Sequence, residues 1–211
     1  MSRFRRWKVV VLGQSGCGKS SLLDRLAHDS FVPDPPSTCG AAYVGYNLDK
    51  CRFECWDTSG HANFARMMPM YYRGAHLAII VFDLGQTQSV EQAEYWCQEL
   101  VHNDASARHI YLVGNKLDRM DKTVADYGMM LSNKYNVKLL LVSAKTGEGV
   151  NDVRRHVFEK YQGLQLQQGD ARSIDMFDYM PLHDDDDDKG HPSDNGKDRR
   201  CCCCYPPFAF W

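Results

Sequence analysis

The sequence lacks any long apolar run. No stretch approaches the roughly 20 consecutive apolar residues that a membrane-spanning helix needs, although 44% of the 211 residues are hydrophobic. The basic start, MSRFRRWKVV, is not followed by the apolar core and small-residue cleavage site of a signal peptide. We therefore expect a cytoplasmic protein with one folded domain and some additional chain.

The sequence also carries little net charge, −2 at pH 7, and that charge is unevenly distributed. From Gln167 onward ten Asp stand against five Lys and Arg, which leaves this tail at −5 and residues 1–166 at +3. Neither value is typical of broad nucleic-acid binding, so we expect no nucleic-acid partner.

Nine cysteines are present, but they lack the paired spacing of a zinc finger. Cys51 and Cys55 fall on one face of a predicted strand and are interpreted as buried thiols. Four more are consecutive, Cys201 to Cys204. Neighbouring side chains splay too far apart to close a tetrahedral metal site, which makes a metal cluster the least favoured role for this run.

Strand-length apolar runs alternate with segments of helical periodicity. This alternation predicts an α/β fold with a mostly parallel six-stranded sheet and helices on both faces. The predicted strands are 7–12, 42–48, 52–57, 76–83, 109–115 and 138–143, the second and third forming a hairpin around Asp49-Lys50. The predicted helices are 19–27, 63–73 with an interruption at Pro69, 89–101 with Ser89 as N-cap, 123–135 and 150–164.

The periodic pattern ends near residue 167. We therefore divide the chain into a folded domain, residues 1–166, and a tail, residues 167–211. The tail contains HDDDDDKGHPSDNGKDRR, which is too charged and too poor in apolar residues to offset its ordering entropy. Residues 176–211 are predicted to be mostly disordered.

The segment GQSGCGKS, residues 13–20, matches the phosphate-loop pattern G-x-x-x-x-G-K-[ST] between a predicted strand and a predicted helix. Its glycines let backbone N–H groups turn towards phosphate oxygens, and the helix N-terminus adds a favourable dipole. Lys19 is expected to reach the β- and γ-phosphates, and Ser20 to hold Mg²⁺. Further predicted nucleotide contacts are Ser15, Gly16, Cys17, Gly18 and Ser21.

A second motif, NKLD, follows a predicted buried strand, at the edge where open α/β sheets bind ligands. The Asp118 carboxylate can accept hydrogen bonds from N1–H and the 2-amino group of guanine, whereas adenine offers neither donor. The SAK segment ends the next strand and is expected to close over the base. Predicted contacts are Asn115, Lys116, Asp118, Ser143, Ala144 and Lys145.

With GQSGCGKS, Thr38, DTSG, NKLD and SAK in this order, the chain resembles the Ras-superfamily small GTPases over residues 7 to about 166. The resemblance implies a small G domain of the P-loop NTPase fold that binds GTP or GDP with Mg²⁺. It implies that Thr38 binds Mg²⁺ and the γ-phosphate, that Asp57 binds Mg²⁺, that Gly60 anchors the second switch, and that Phe31 lies beside the guanine. The two switch loops are expected around 31–43 and 57–73.

Within that superfamily the sequence looks like a Rab. WDTSG, YYRGA and the placement of Tyr43, Trp56 and Tyr71 resemble a Rab effector-binding aromatic triad, and STCGAAY and PMYYRGAH resemble the early-endosomal subgroup. The resemblance implies a monomer, peripheral on endosomal or vesicle membranes, with exchange factors, activating proteins and effectors as partners. The Thr38–Asp57 segment is a few residues shorter than is typical, so effector specificity is expected to differ.

His61 replaces the glutamine that orients the attacking water in this family. A protonated imidazole, favoured beside a triphosphate, cannot accept a proton from that water. Our hypothesis is slow hydrolysis that depends on an activating partner, with Lys19, Thr38 and His61 as the catalytic residues. The alternative is a pseudo-GTPase scaffold that does not cycle, while NKLD and the lack of a lid domain disfavour an ATP-dependent small-molecule kinase.

The chain closes on RRCCCCYPPFAFW, where seven residues follow Cys204. Neither a terminal cysteine pair nor a C-a-a-X box is present, although the resemblance implies prenylated cysteines. Three alternatives remain open: acylation of adjacent thiols among Cys201, Cys202, Cys203 and Cys204, prenylation after trimming, or no lipid. We favour lipidation slightly.

Overall fold

A computed structural model describes residues 5–48, 51–102, 109–167 and 200–201. Its centre is the predicted six-stranded sheet, in the order β6-β5-β4-β1-β3-β2. Only β2 and β3 pair antiparallel within this set. The strands are β1 (Arg5–Leu12), β2 (Ala41–Leu48), β3 (Cys51–Thr58), β4 (Leu77–Asp83), β5 (His109–Asn115) and β6 (Lys138–Leu141).

Five helices pack on the two faces of the sheet: α1 (Lys19–His28), α2 (Met68–Tyr72), α3 (Thr87–His102), α4 (Lys122–Tyr135) and α5 (Val150–Gln167). Short 3-10 helices precede α2 and α4, at Ala62–Met67 and Leu117–Arg119. The predicted α/β class is therefore confirmed. None of the helices in the described ranges combines the length and apolarity needed to cross a membrane.

The sheet separates two apolar cores. On one face α1 and α5 cover a group of aromatic side chains around Phe53. The Phe53 ring stacks on Tyr46 with ring centroids 5.1 Å apart. It contacts Trp7 and Tyr161 edge-on, with centroids 5.5 and 5.9 Å apart. On the other face α2, α3 and α4 cover a second cluster that includes Phe82. All seven residues of β4 are buried, which explains why its sequence is an unbroken apolar run rather than an alternating one.

One local prediction needs correction, and another is confirmed. Ser89 does not cap α3: the helix begins at Thr87, and the buried Ser89 hydroxyl accepts a hydrogen bond from the backbone N–H of Asp83 at 2.7 Å. The predicted interruption of the helical segment 63–73 is confirmed close to Pro69, since the 3-10 helix Ala62–Met67 ends there and α2 begins at Met68. Pro69 lies in the first turn of α2, where its missing N–H removes no intrahelical hydrogen bond.

The tail adds an element that the sequence did not predict. Arg200–Cys201 form a short seventh strand, β7, which pairs antiparallel with β2 at the edge of the sheet. The rest of the predicted disordered segment lies outside the described residues, and so do Cys202, Cys203 and Cys204. The domain boundary at residue 166 stays a prediction.

The buried-thiol interpretation of Cys51 and Cys55 is confirmed, since both side chains are at most 1% exposed. Burial raises the pKa of the Cys51 thiol to about 12 and that of Cys55 even further above its usual value. Both thiols therefore stay protonated at neutral pH, and among the described residues no cluster of His, Cys, Asp or Glu has the arrangement of a metal site.

Phe53→Ala tests whether the aromatic group beneath α1 and α5 stabilises the domain. The side chain is fully buried between three other rings, so its removal should lower the free energy of unfolding by about 3–5 kcal/mol. Urea unfolding at fixed nucleotide and Mg²⁺ concentration measures this. Met129→Ala, at a side chain 52% exposed, is the control and should cost less than about 0.5 kcal/mol. A loss below 1 kcal/mol for Phe53→Ala would contradict the packing described here.

Candidate functional site

The predicted nucleotide contacts meet at one edge of the sheet. The loop after β1, the loop after β5 and the loop after β6 all leave the carboxyl ends of parallel strands, and the chain after β3 returns to the same edge. Ligands bind at this edge in open α/β sheets because the loops diverge there. The structure thus brings together segments separated by up to about 130 residues of sequence.

The loop of residues 13–18 forms a tight backbone turn. Gly13, Gly16 and Gly18 adopt φ values of +141°, +79° and +92°. A Cβ on Gly13 would lie 2.1 Å from the carbonyl oxygen of Val81, so a larger residue is excluded there. Only glycine at these positions lets the loop curl in front of α1, whose N-terminus carries the partial positive charge that favours anions.

Lys19 is held inside this turn. Its side chain is 5% exposed, and Nζ donates to the carbonyl oxygens of Gly13 at 3.0 Å and Gln14 at 2.8 Å. The ammonium group is therefore positioned by the loop backbone rather than by a carboxylate. Among the described residues no anionic side chain forms an ion pair with Lys19, so its charge remains available to a phosphate group bound in front of the loop.

Three side-chain oxygens converge beside the loop. Ser20 Oγ lies 3.0 Å from Thr38 Oγ1 and 2.5 Å from Asp57 Oδ2, while Thr38 Oγ1 donates to Asp57 Oδ2 at 3.1 Å. Two hydroxyls and one carboxylate are hard oxygen donors, the type that Mg²⁺ prefers, and neighbouring ligands of an ideal octahedron with bonds of 2.0–2.1 Å are about 2.9 Å apart. The donor set fits Mg²⁺, and the two separations that involve Thr38 match this spacing, while Ser20 and Asp57 lie closer together.

The chain after β3 packs directly on the phosphate loop. A Cβ on Gly60 would lie 2.1 Å from the backbone nitrogen of Ser15, so no larger residue could occupy this approach without displacing one of the two segments. The backbone N–H of Ser59 donates to Gly40 at 2.7 Å, which joins this segment to the loop that carries Thr38. The two predicted switch segments thus contact each other beside the loop.

His61 contacts the phosphate loop through its ring. Nε2 lies 3.3 Å from Ser15 Oγ, and both side chains are accessible to solvent. Which atom donates depends on the tautomer of the imidazole. In either case one ring nitrogen is engaged by Ser15, so the ring is directed towards the loop. The sequence predicted His61 as a site residue but gave no indication of this partner.

Asn115 connects the phosphate loop to the predicted base-binding loops. The side chain is 1% exposed; Nδ2 donates to the carbonyl oxygen of Cys17 at 3.0 Å, and Oδ1 accepts from the backbone N–H of Ala144 at 3.0 Å. Lys116 reaches back in the same direction, its Nζ donating to Gly16 at 2.6 Å. The NKLD and SAK segments are therefore fixed relative to the phosphate loop by direct contacts.

The Asp118 carboxylate is oriented by the neighbouring loop. Ser143 Oγ donates to Asp118 Oδ1 at 2.6 Å. This hydrogen bond is the main reason that the pKa of Asp118 lies below its ordinary value, so the group is ionised at neutral pH and can act only as an acceptor. Lys145 is exposed and Phe31 is partly exposed, and the role of each beside a base stays a prediction.

Two structural contributors were missed by the sequence reasoning. Asp83 is fully buried at the end of β4 and forms ion pairs with Lys116 at 2.8 Å and Arg119 at 2.6 Å. Burial would raise the pKa of Asp83, but hydrogen bonds from Lys116, the Gly85 N–H and Arg119 hold it below its ordinary value. A lone acid ending an otherwise apolar run was a usable signal for this residue.

Arg25 is the second missed residue, and no sequence motif marks it. From α1 its Nε and Nη2 donate to the carbonyl oxygens of Ala144 and Lys145, both at 3.0 Å. These bonds tie the SAK segment to the helix that follows the phosphate loop. The two ends of the predicted nucleotide site are therefore connected a second time, independently of Asn115.

The aromatic side chains predicted to form a triad do lie together. Tyr43 and Trp56 have ring centroids 5.7 Å apart, and Trp56 and Tyr71 have centroids 5.6 Å apart. Trp56 also lies beneath the Lys8 ammonium group at 6.0 Å. The group is next to the second switch segment, because Trp56 immediately precedes Asp57 in β3.

Comparison with known proteins agrees with this arrangement. The model of the Ras family matches residues 8–162. The chain is 36% identical over 173 residues to the Ras-related protein Rab5 of Nicotiana tabacum, covering 79% of this chain and 86% of the relative. It is 39% identical to RABF2b of Arabidopsis thaliana (75% and 82% covered) and 36% identical to Rab-18 of Lymnaea stagnalis (82% and 90% covered). The chain therefore belongs to the Ras family of small GTPases, as a divergent Rab protein similar to Rab5-type relatives.

Proposed function

We propose that this chain binds GTP and GDP with Mg²⁺, hydrolyses GTP slowly, and switches the recruitment of effectors in vesicle or endosomal membrane traffic. The observation that carries the proposal is the meeting of three segments beside the phosphate loop: Ser20 from α1, Thr38 from the first switch, and Asp57 with Gly60 from the second. Segments brought together at a phosphate site separate again when that phosphate leaves.

In the bound state the roles divide among the chain's own groups. The loop N–H groups and Lys19 bind the β- and γ-phosphates, while Ser20, Thr38 and Asp57 hold Mg²⁺, which neutralises charge on the phosphate oxygens. Contact of Thr38 with the γ-phosphate would order the first switch. Contact of Gly60, whose backbone already approaches Ser15 closely, would order the second.

The base is selected by Asp118. An ionised carboxylate at this position pairs with the two donors of guanine, and Ser143 keeps it in the required orientation. Asp118 is exposed in the structure, and a bound base would cover its carboxylate. With adenine the covered carboxylate would face an acceptor at N1, which is less favourable than pairing with the two donors of guanine. This difference supports GTP over ATP as the ligand.

Slow hydrolysis follows from the position of His61. The glutamine usual in the family orients water through its amide, whereas here one nitrogen of the imidazole is engaged by Ser15. The ring must leave this contact, or work with only its other nitrogen, to act on a water molecule. We propose that an activating partner supplies the missing orientation. A scaffold that remains bound to GTP is the competing function.

The aromatic triad of Tyr43, Trp56 and Tyr71 is proposed as the effector surface, because it adjoins both switches. Exchange factors and activating proteins would use the same two loops. We further propose that lipid groups on Cys201, Cys202, Cys203 or Cys204 attach the chain to the cytosolic face of an endosomal or vesicle membrane. The charge of Arg199 and Arg200 suits anionic head groups.

Base selection is tested by Asp118→Asn. An amide offers a donor to the carbonyl that replaces the 2-amino group in xanthine, so preference should shift from GTP to XTP by about 100-fold or more. Competitive titration with fluorescent nucleotides measures the ratio. Asp121→Asn is the control, since Asp121 caps α4 outside the base site and asparagine caps equally well. An unchanged preference in Asp118→Asn would remove Asp118 from its assigned role.

Metal dependence is tested by chelation. The oxygens of Ser20, Thr38 and Asp57 lie within 3.1 Å of one another, and without a cation the carboxylate would repel a bound phosphate. EDTA should therefore weaken GDP binding by at least about tenfold, and excess Mg²⁺ should restore it. Dissociation rates of labelled GDP measure the effect. Equal rates with and without EDTA would show that these oxygens hold no metal with the nucleotide.

The role of His61 is tested by single-turnover GTP hydrolysis. His61→Gln should be faster than the natural chain by about tenfold or more, since a free amide orients water better than an imidazole with one nitrogen engaged by Ser15. Ser15→Ala serves as the matched variant, because it removes the contact while leaving His61 in place. If the histidine protein is already the faster of the two, the proposed impairment is wrong.

A further inference from the structure

The two edges of the sheet are protected very differently. At one edge, β6 has only four residues and begins with an exposed lysine, Lys138. At the other edge, β2 has eight residues, AAYVGYNL, with no proline and no charged side chain. Short length and edge lysines are the usual means of preventing unwanted strand addition. The β2 edge lacks both, so it is a template for another strand unless something covers it.

In the structure the chain's own tail covers this edge at two residues. Arg200–Cys201 pair antiparallel with β2, Cys201 opposite Ala42 and Arg200 opposite Tyr43. An antiparallel ladder satisfies backbone groups that would otherwise be left open at the edge. On its inner side β2 is paired with β3 along its full length, so β7 occupies the remaining free side of the strand at these two residues.

The covered stretch adjoins the switch region. Ala42 of β2 lies opposite Asp57 of β3, the proposed Mg²⁺ ligand. Tyr43 of β2 lies opposite Trp56 of β3, which belongs to the aromatic triad. The tail strand therefore pairs directly with Tyr43 of the triad and lies one strand removed from Trp56 and Asp57. A partner that added a strand to β2 at Ala42–Tyr43 would have to displace the tail first.

We propose that the segment around Arg200–Cys201 is the resident partner of the β2 edge, and that it blocks strand addition beside the switches until the tail is drawn away. Cys201 belongs to the cysteine run that we propose for membrane attachment, a part of the argument that rests on the proposed function. A backbone engaged in the β2 ladder cannot at the same time lie at a lipid surface. Membrane attachment of the tail would thus uncover the edge.

The chain is long enough for this pairing. Between Gln167 at the end of α5 and Arg200 there are 32 residues, which span up to about 105 Å when extended. A domain of this size has a radius of gyration of only about 15 Å. The segment therefore reaches β2 of the same molecule. Because the pairing is intramolecular, it is expected to be independent of protein concentration.

The test is residue-resolved amide hydrogen exchange on the full-length protein, combined with proton–proton contacts across the ladder. Arg200→Pro/Cys201→Pro removes both tail N–H donors, since proline has none. The outward-facing amide among Ala42 and Tyr43 should then exchange about tenfold faster, as expected for loss of edge pairing. Ser193→Pro/Asn195→Pro places two prolines elsewhere in the tail and should leave exchange unchanged.

Several outcomes would overturn the pairing. The first is an equal rate of amide exchange at Ala42 and Tyr43 in the two double-proline variants. The second is protection of these amides that falls when the protein is diluted, because a second copy of the chain would then supply the strand. The prolines could also destabilise the protein in other ways, so proton–proton contacts across the ladder are measured in the unaltered protein as well. Facing α-carbons of an antiparallel pair lie about 4.5–5.5 Å apart, so contacts between Ala42–Tyr43 and Arg200–Cys201 should be detected. Their absence would also overturn the pairing.

Attachment to a membrane is tested separately. In Cys39→Ser protein every other described cysteine of residues 5–167 is buried, so maleimide-lipid vesicles should react with the tail thiols. The amide in the Ala42–Tyr43 pair should then exchange about as fast as in the double-proline variant. Unchanged protection on the vesicles would show that pairing and attachment coexist, which would overturn the release step while leaving nucleotide binding untouched.

Discussion

The proposed activity depends on one constraint: the phosphate loop must stay curled around the Lys19 ammonium group. Three glycines with positive φ make that curl possible, and the carbonyl oxygens of Gly13 and Gln14 hold the lysine inside it. Everything else in the site is fixed relative to this loop. Asn115 bonds to its backbone, and Gly60 packs on it without room for a side chain. If the loop opened, the segments proposed to bind the base and the two switch segments would no longer be held in position relative to one another.

Much of this site could be predicted from the sequence because its determinants are local. A phosphate loop needs glycines and a lysine at fixed spacing, so GQSGCGKS can be recognised from the sequence. Buried parallel strands need unbroken apolar runs, so LAIIVFD can be recognised as well. The order of strands then brings NKLD and SAK to the same edge. The hairpin of β2 and β3 was likewise visible from its two strand-length runs.

What the sequence could not supply are contacts between distant side chains and the backbone. Arg25 binds backbone carbonyl oxygens about 120 positions away. Every residue has a backbone carbonyl, so no pattern of residue types indicates which one an arginine will bind. Ser89 was misassigned because a serine before an amphipathic segment usually caps it, whereas here its hydroxyl serves the end of β4. The strand β7 was missed because two residues within a polar tail give no periodicity to detect.

One residue of the site does not fit a cycling GTPase as well as the others do. The phosphate loop, the three oxygens proposed to hold Mg²⁺ and the carboxylate proposed to bind the base all fit one, while His61 is turned towards Ser15. Calorimetry on nucleotide-free full-length protein with Mg²⁺ decides whether the chain binds guanine nucleotides, because it measures binding without requiring hydrolysis. We predict tight binding of GDP and GTP, with ADP and ATP at least about 100-fold weaker. Binding without preference for guanine, or no heat with any nucleotide, would contradict the account.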